Sequence, residues 1–186
     1  EGEESKSPNN ILNKNRKKNA KEWAKLNNCK LIKLCNFPDQ RLDVIPQLDI
    51  VKEIERTVEL IKPDIVYTHY PGDLNLDHQV VSQSTLTAIR PISYHNINPE
   101  IRAFETPSSS DQVPMIGKYI FSPNFYVSIN KQWKKKIKGL QIYSSEIKSK
   151  PHARSIDAIE ALAIKRGAES GFEKAEAFII LRKTWR

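Results

Sequence analysis

The sequence has no long apolar run and few features of a secreted or membrane protein. No stretch approaches the ~18 apolar residues that a membrane-spanning helix needs. Its first residues, EGEESKSPNN, lack the basic start and apolar core of a secretory signal peptide. The two cysteines, Cys29 and Cys35, flank one apolar run, a spacing that fits neither a disulfide framework nor a zinc knuckle. We therefore expect a cytoplasmic protein with reduced cysteines and no transmembrane segment.

The chain also lacks an initiating methionine, since its one methionine is Met115. Its first residues resemble the middle of a loop, so we expect a fragment or a processed product. The chain has 186 residues, of which 39% are hydrophobic and 28% charged, which is enough for one domain with a real core. No internal repeat or low-complexity linker divides it. Residues 1–186 are therefore expected to form a single domain.

Basic residues outnumber acidic ones, 30 against 22, which gives a formal charge of +8. This charge favours anionic partners such as sugar nucleotides, phospholipid surfaces or nucleic acid. The basic runs NKNRKK and KQWKKK come without an RNA-binding or helix-turn-helix signature, which argues against nucleic acid. A basic helix predicted from Asn130 has an apolar face too mixed for membrane insertion, although docking on an anionic membrane surface stays open.

Helices and strands alternate in the predicted secondary structure. Apolar residues at helical spacing predict helices over 10–26, 46–62, 79–90, 130–146 and 155–167, the last capped by Ser155. Short β-rich runs predict strands at KLIKLC, DIVYTHY, IRAFET, YIFSPNFYVSI and AEAFIILRK. Because parallel strands need crossovers that are usually helical, the alternation predicts an α/β domain with a mostly parallel sheet.

Several chemically active side chains lie in the loop that follows the predicted strand DIVYTHY. Ligands of open α/β sheets bind outside the carboxyl ends of the strands, where this loop is expected. Imidazole and carboxylate groups are also the usual zinc ligands and their supports. The same residue types serve equally well as helix caps, so the spacing alone leaves both interpretations open. The segment, YTHYPGDLNLDH, contains His69, Asp73, Asn75, Asp77 and His78.

A series of motifs, in order along nearly the whole chain, resembles the family of phosphatidylinositol-glycan class L (PIG-L) deacetylases and LmbE-like bacterial proteins. Members of that family remove acetyl groups from N-acetylglucosaminyl compounds. The resemblance is carried by GEES, Arg16, FPDQRLD, DLNLDHQ, FETPSSS, HARSIDAIEALAIKRGAESG and AEAF.

The resemblance implies a Rossmann-like three-layer domain that hydrolyses an amide with one catalytic zinc, held by two histidines and an aspartate. His78 would be one ligand, with Asp77 orienting its imidazole. Asn75 stands where many members place a histidine that polarises the substrate carbonyl. The other two ligands and the general base come, in the family, from a His-Pro-Asp-Asp motif that this sequence lacks. We therefore expect the family's first strand, first helix and second strand to precede residue 1.

The resemblance also implies an acetylated amino-sugar substrate, which could be free, nucleotide-linked, lipid-linked or part of a glycan. Arg16 would hold substrate hydroxyls or a phosphate, although it could equally be a solvated charge of the NKNRKK run. Asp73 and His152 are expected to contact the substrate, and His69 is expected near the metal without binding it. A relative that has lost catalysis and serves as a binding protein is the alternative function.

Overall fold

A computed structural model describes residues 8–91 and 97–184. No helix in these two ranges is both long and apolar enough to cross a membrane. The helices are α1 (Pro8–Leu26), α2 (Gln47–Ile61), α3 (Leu76–Ala88), α4 (Trp133–Ile142) and α5 (Ile156–Ser170). The strands are β1 (Ile65–His69), β2 (Glu100–Phe104), β3 (Phe125–Ser128) and β4 (Ala175–Arg182).

The four described strands form one mixed sheet in the order β1-β2-β4-β3. β1 and β2 are parallel, whereas β4 is antiparallel to both of its neighbours, β2 and β3. The predicted α/β class is confirmed. β1, β2 and β3 run in the same direction, and β4, which lies between β2 and β3, runs against them, so two of the three described strand pairings are antiparallel. The chain reaches β4 from β3 through α4 and α5.

The start of α3 determines where the candidate site residues lie. The Asn75 side chain accepts the backbone N–H of Asp77 at 2.9 Å, which caps the helix and starts it at Leu76. The predicted start, Gln79, is three residues too late. Residues 77 and 78 therefore belong to the first turn of a helix that follows directly on the carboxyl end of β1.

The ends of the other helices follow local sequence signals. Lys62 adopts a left-handed conformation, with φ of 48°, and together with Pro63 ends α2. Ser155 caps α5 as predicted, and Gly171, with φ of 78°, ends it. The helix predicted over 130–146 is shorter in the structure, because a 3-10 turn replaces its last residues.

The buried core joins α2 and α3 to the sheet. Val51, Ala88, Ile89 and Ile101 are each at most 3% exposed and pack together. Full burial of one such isoleucine contributes about 1.5 to 3 kcal/mol relative to leaving it in water. This packing holds the carboxyl end of α3 against α2 and β2.

The predicted strand KLIKLC is the clearest secondary-structure error. Residues 30–35 form no helix or strand in the structure and pair with no strand among the described residues. They border an apolar groove of about 640 Å³, whose other walls are α2 and β1. β1 pairs only with β2 in the described ranges, so the other edge of β1 is open toward this groove. A strand needs a partner to form a ladder, and this segment pairs with none in residues 8–91 and 97–184.

Candidate functional site

A cleft of about 590 Å³ lies at the carboxyl end of β1. Its walls come from the segment before α2, the first turn of α3, the loop after β2 and the segment before α5. This is the position at which open α/β sheets place ligands. The lining residues are Gln40, Asp43, Leu74, Asn75, Leu76, Asp77, His78, Thr106, Pro107, Ser108, Ser109 and Arg154.

Asp73 is the buried centre of the site, with 0% of its surface exposed. Its Oδ1 accepts the backbone N–H of Asn75 at 2.9 Å, a short hydrogen bond from the Ser109 hydroxyl, and a contact from His78 Nδ1 at 3.1 Å. Its Oδ2 accepts the Ser110 hydroxyl at 2.6 Å. Asp73 is buried among these partners and does not line the cleft, and its predicted contact with a substrate stays a prediction.

The contacts of Asp73 also determine which ring nitrogen of His78 carries the proton. Burial raises the pKa of Asp73, but hydrogen bonds from His78, Ser109, Ser110 and the Asn75 backbone outweigh burial and hold it at about 2. At neutral pH the carboxylate can therefore only accept, so His78 Nδ1 carries the proton. The other ring nitrogen of His78, Nε2, is left as the free acceptor.

His69 packs directly against His78. The two rings stack with centroids 4.2 Å apart and an interplanar angle of 22°. The Nδ1 of His69 is buried and has no hydrogen-bond partner among the described residues. Burial and the neighbouring His78 lower the pKa of His69 to about 4, against a smaller opposing effect of Asp73. His69 is therefore neutral at neutral pH.

Asp77 does not contact the His78 ring. Its Oδ1 accepts the backbone N–H of Leu42 at 2.9 Å, which ties a 3-10 turn before α2 to the first turn of α3. In this structure Asp73 is the carboxylate that contacts the His78 ring, and the orienting role of Asp77 stays a prediction. Neighbours in sequence on a helix point in different directions, whereas the loop brings Asp73 back beneath the ring of His78.

Asn75 presents an amide to the cleft. Its Oδ1 is used as the cap of α3, while its Nδ2 makes no hydrogen bond to the described part of the chain. An amide N–H₂ is a donor, so it could stabilise a negatively charged oxygen in the cleft. The role predicted for Asn75 stays a prediction with a suitable donor in place.

Arg16 and His152 lie outside the set of residues that line the cleft. Arg16 forms an ion pair with Asp39 at 2.6 Å, and both side chains are about half exposed, at 46% and 56%. His152 is exposed, and its Nδ1 accepts the backbone N–H of Arg154 at 3.0 Å. The cation that does line the cleft is Arg154, which also pairs with Glu146 at 2.8 Å. Arg154 belongs to the motif HARS, but no role was predicted for it.

The loop after β2 is anchored by a buried ion pair. Arg166 of α5 donates two hydrogen bonds to the carboxylate of Glu105, Nε to Oε1 at 2.8 Å and Nη2 to Oε2 at 2.6 Å. The two side chains are 9% and 16% exposed. Glu105 directly precedes the segment that carries Ser109 and Ser110, so this pair fixes the base of the loop. The ion pair of Arg166 and Glu105 was not predicted, although Arg166 lies in the motif HARSIDAIEALAIKRGAESG.

The described residues fit a zinc site only in part. Within residues 8–91 and 97–184, no group of three His, Cys, Asp or Glu side chains is arranged to hold a metal ion. His78 nevertheless has the form of a zinc ligand, because its Nδ1 faces a carboxylate and its Nε2 is free. The described part of the chain thus offers one imidazole suited to a metal, with a carboxylate behind it.

The pKa values of His69 and Asp73 predict a loss of stability in acid. Both folded pKa values lie below the ordinary ones, 6.5 and 3.8, so each group stabilises the fold at higher pH and ceases to do so as pH falls. We expect the free energy of unfolding to fall by about 3 kcal/mol between pH 6.5 and 4 from His69, and by about 2 kcal/mol between pH 4 and 2 from Asp73. Urea denaturation across this range measures both.

A His69→Gln variant tests whether His69 causes the loss of stability between pH 6.5 and 4. It should remove most of the change between pH 6.5 and 4, whereas His152→Gln, at an exposed position, should leave it in place. A His69→Gln curve that keeps the full change would contradict the assignment.

Comparisons with known proteins agree with the sequence motifs. The PIG-L family model, described as GlcNAc-PI de-N-acetylase, matches residues 1–89, which confirms the predicted family resemblance over that part of the chain. A search of curated protein sequences finds no match.

Solved structures share the fold. The conserved protein TT1542 from Thermus thermophilus superposes with a TM-score of 0.72 at 17% identity, covering 99% of this chain and 78% of that one. GalB, the 4-carboxy-2-hydroxymuconate hydratase from Pseudomonas putida, gives 0.73 at 16%, with coverage of 99% and 78%. The N,N'-diacetylchitobiose deacetylase from Pyrococcus horikoshii gives 0.72 at 20%, with coverage of 96% and 67%. At these identities the likeness shows the fold alone, and the fold serves both a hydratase and a deacetylase.

Proposed function

Because residues 1–89 match the PIG-L family, we propose that this protein is a zinc-dependent N-deacetylase that hydrolyses the acetamide of an amino sugar. The observation that carries the proposal is the pair of His78 and buried Asp73 in a cleft at the carboxyl end of β1. A histidine held by a carboxylate through Nδ1 is the usual arrangement of a metal-bound imidazole.

In this proposal His78 is one zinc ligand through Nε2. When bound, zinc supplies a Lewis acid and a water whose pKa falls toward ~7. Asp73 keeps the ring of His78 in one orientation and one tautomer, since its carboxylate accepts the Nδ1 proton. Asp77 accepts the backbone N–H of Leu42 and so holds the turn at Leu42 against the first turn of α3.

The open edge of β1 suggests where further ligands enter the site. The apolar groove of about 640 Å³ runs between this edge and residues 30–37. We propose that an extended segment from outside the described residues pairs with β1 there. Its carboxyl end would then lie beside His69, whose Nδ1 has no partner in the described part of the chain. The family's remaining two ligands and general base would come from that segment.

Asn75 is the proposed donor to the oxyanion that forms when water attacks the acetamide carbonyl. We expect Asn75→Asp to keep the cap of α3, because a carboxylate still accepts the N–H of Asp77, while removing the amide donor. Loss of one oxyanion donor costs about 10²- to 10³-fold in kcat. The measurement is kcat together with the urea midpoint.

An Asn75→Ala variant completes the comparison. It should lose a similar factor in kcat and about 1 kcal/mol of stability, since it also removes the cap. Equal kcat for Asn75→Asp and the unaltered protein would contradict the donor role.

The substrate class proposed is an acetylated amino sugar, free, nucleotide-linked or lipid-linked. The cleft volume of about 590 Å³ lies within the ~300 to 1,000 Å³ of small-ligand sites. Arg154 in the cleft wall offers a cation to a phosphate or to hydroxyls, and Arg16 and His152 are proposed to assist from outside it. Cys29 and Cys35 are free and exposed, which suits the proposed cytoplasmic location.

The test is acetate release, with zinc, by the protein purified together with the segment proposed to supply the other two ligands and the general base. The compounds tested are N-acetylglucosamine, N,N'-diacetylchitobiose, a uridine-diphosphate-linked form and an inositol-phospholipid-linked form. Release from at least one of these supports the deacetylase. The second candidate, a sugar-binding relative without catalysis, is motivated by the lack of a three-ligand cluster in residues 8–91 and 97–184. Saturable sugar binding in calorimetry, without acetate release from any compound, would favour this candidate and contradict the deacetylase.

A further inference from the structure

We infer that Ser109 and Ser110 are positioning residues for His78, acting through the carboxylate of Asp73. This inference rests on the proposed function of His78 as a metal ligand. Their hydroxyls hold the carboxylate in the orientation in which Oδ1 accepts the Nδ1 proton of His78, so that Nε2 stays free for the metal. Neither serine contacts His78 in the described hydrogen bonds.

The two serines bind opposite oxygens of the same buried group. Ser109 is 7% exposed and donates to Oδ1, while Ser110 is 6% exposed and donates to Oδ2. The terminal torsion of an aspartate side chain is soft, so hydrogen bonds decide how its carboxylate is turned. With both oxygens bonded, the carboxylate of Asp73 cannot rotate without breaking a charge-assisted hydrogen bond in a buried site.

The direction of these hydrogen bonds is itself fixed by the loop after β2. The Ser110 Oγ accepts the backbone N–H of Thr106 at 2.8 Å, so its own proton is available to Asp73. The backbone N–H groups of Ser109 and Ser110 both donate to the carbonyl of Thr106, at 3.1 and 2.9 Å. The ion pair of Arg166 and Glu105 holds the base of this loop. The serines therefore stand on a rigid support that is separate from α3.

The expected consequence is a fixed tautomer. A carboxylate that only accepts requires the proton of the neutral imidazole on Nδ1. If the carboxylate turns away, this requirement disappears and the proton can move to Nε2. A His78 ring with its proton on Nε2 cannot bind a metal through that atom.

The experiment is nitrogen-15 NMR of the imidazole of His78 at about pH 8.5, two units above the ordinary pKa of histidine. The unaltered protein is expected to show a protonated Nδ1 and an unprotonated Nε2. Ser109→Ala/Ser110→Ala should shift the population toward protonated Nε2. Ser84→Ala is the matched control, since its hydroxyl is equally buried, at 0% exposure, but does not contact Asp73.

If the double variant does not fold, the single variants Ser109→Ala and Ser110→Ala are measured instead. Ser110→Thr keeps a hydroxyl at this position, so its spectrum should match that of the unaltered protein. In the deacetylase assay we expect kcat to fall about 10- to 100-fold with KM little changed. A spectrum of the folded alanine variants identical to that of the unaltered protein would overturn the inference. The NMR measurement of the tautomer does not depend on catalysis. A shifted tautomer in a protein that releases no acetate would therefore support the inference and refute the proposed function.

Discussion

Replacing His78 with alanine is expected to reduce zinc-dependent acetate release to the level of the metal-free protein. The ring lies in the first turn of α3, where its side chain is 19% exposed and lines the cleft. Without it the metal loses a ligand that the carboxylate of Asp73 orients. Because a Lewis-acid metal contributes several kcal/mol to the transition state, the loss should be about 10³-fold or more.

The control for this variant is Gln83→Ala, on the exposed face of the same helix. It should retain the activity of the unaltered protein, and both variants should keep its far-ultraviolet circular dichroism. His78→Gln, which keeps the approximate length of the side chain, should be as inactive as the alanine variant. Full activity of folded His78→Ala would remove His78 from the mechanism.

The second large effect concerns stability. Arg166→Met is expected to lower the free energy of unfolding by about 3 to 5 kcal/mol, because it leaves the largely buried carboxylate of Glu105 without its bidentate partner and also breaks the ion pair of Arg166 with Glu169. Arg166→Met/Glu105→Gln should recover part of this loss, since no unpaired charge remains. Urea denaturation at pH 7 measures both values.

Lys165→Met provides the comparison for an exposed pair on the same helix. Its ion pair with Glu169 joins side chains that are 60% and 32% exposed, so the change should be about 0.5 kcal/mol or less. A loss for Arg166→Met as small as that for Lys165→Met would show that the buried pair does not support the loop.

The sequence predicted most elements of the fold where the signal was local. The stripe of Ile50, Ile54, Val58 and Ile61 predicted α2, and the Ser155 cap and Gly171 predicted α5. A strand cannot be predicted in this way, because its ladder depends on a partner. KLIKLC has the composition of a strand, yet it forms none in the described ranges, where no partner lies beside it.

The sequence predicted where the candidate site lies, but it predicted only some of the contacts that the structure shows there. The sequence placed Asp73, Asn75 and His78 in the segment after a buried strand, and in the structure Asp73 contacts both of the others. The carboxylate predicted to orient His78 was its sequence neighbour Asp77, whereas the structure places Asp73 against the ring. Ser109 and Ser110 lie 36 and 37 residues from Asp73, and a single sequence carries no pairwise signal over that separation.

The most direct test of the central claim is the zinc content of the purified protein, measured by elemental analysis after metal loading and removal of free metal. We predict about one zinc per chain in the protein purified together with the segment proposed to supply the other two ligands, and loss of that zinc in the same protein with His78→Ala, because the oriented imidazole is a ligand. Zinc retained in full by the His78→Ala form, or absent from the form with all three proposed ligands, would contradict the assignment of this cleft as the metal centre of a deacetylase.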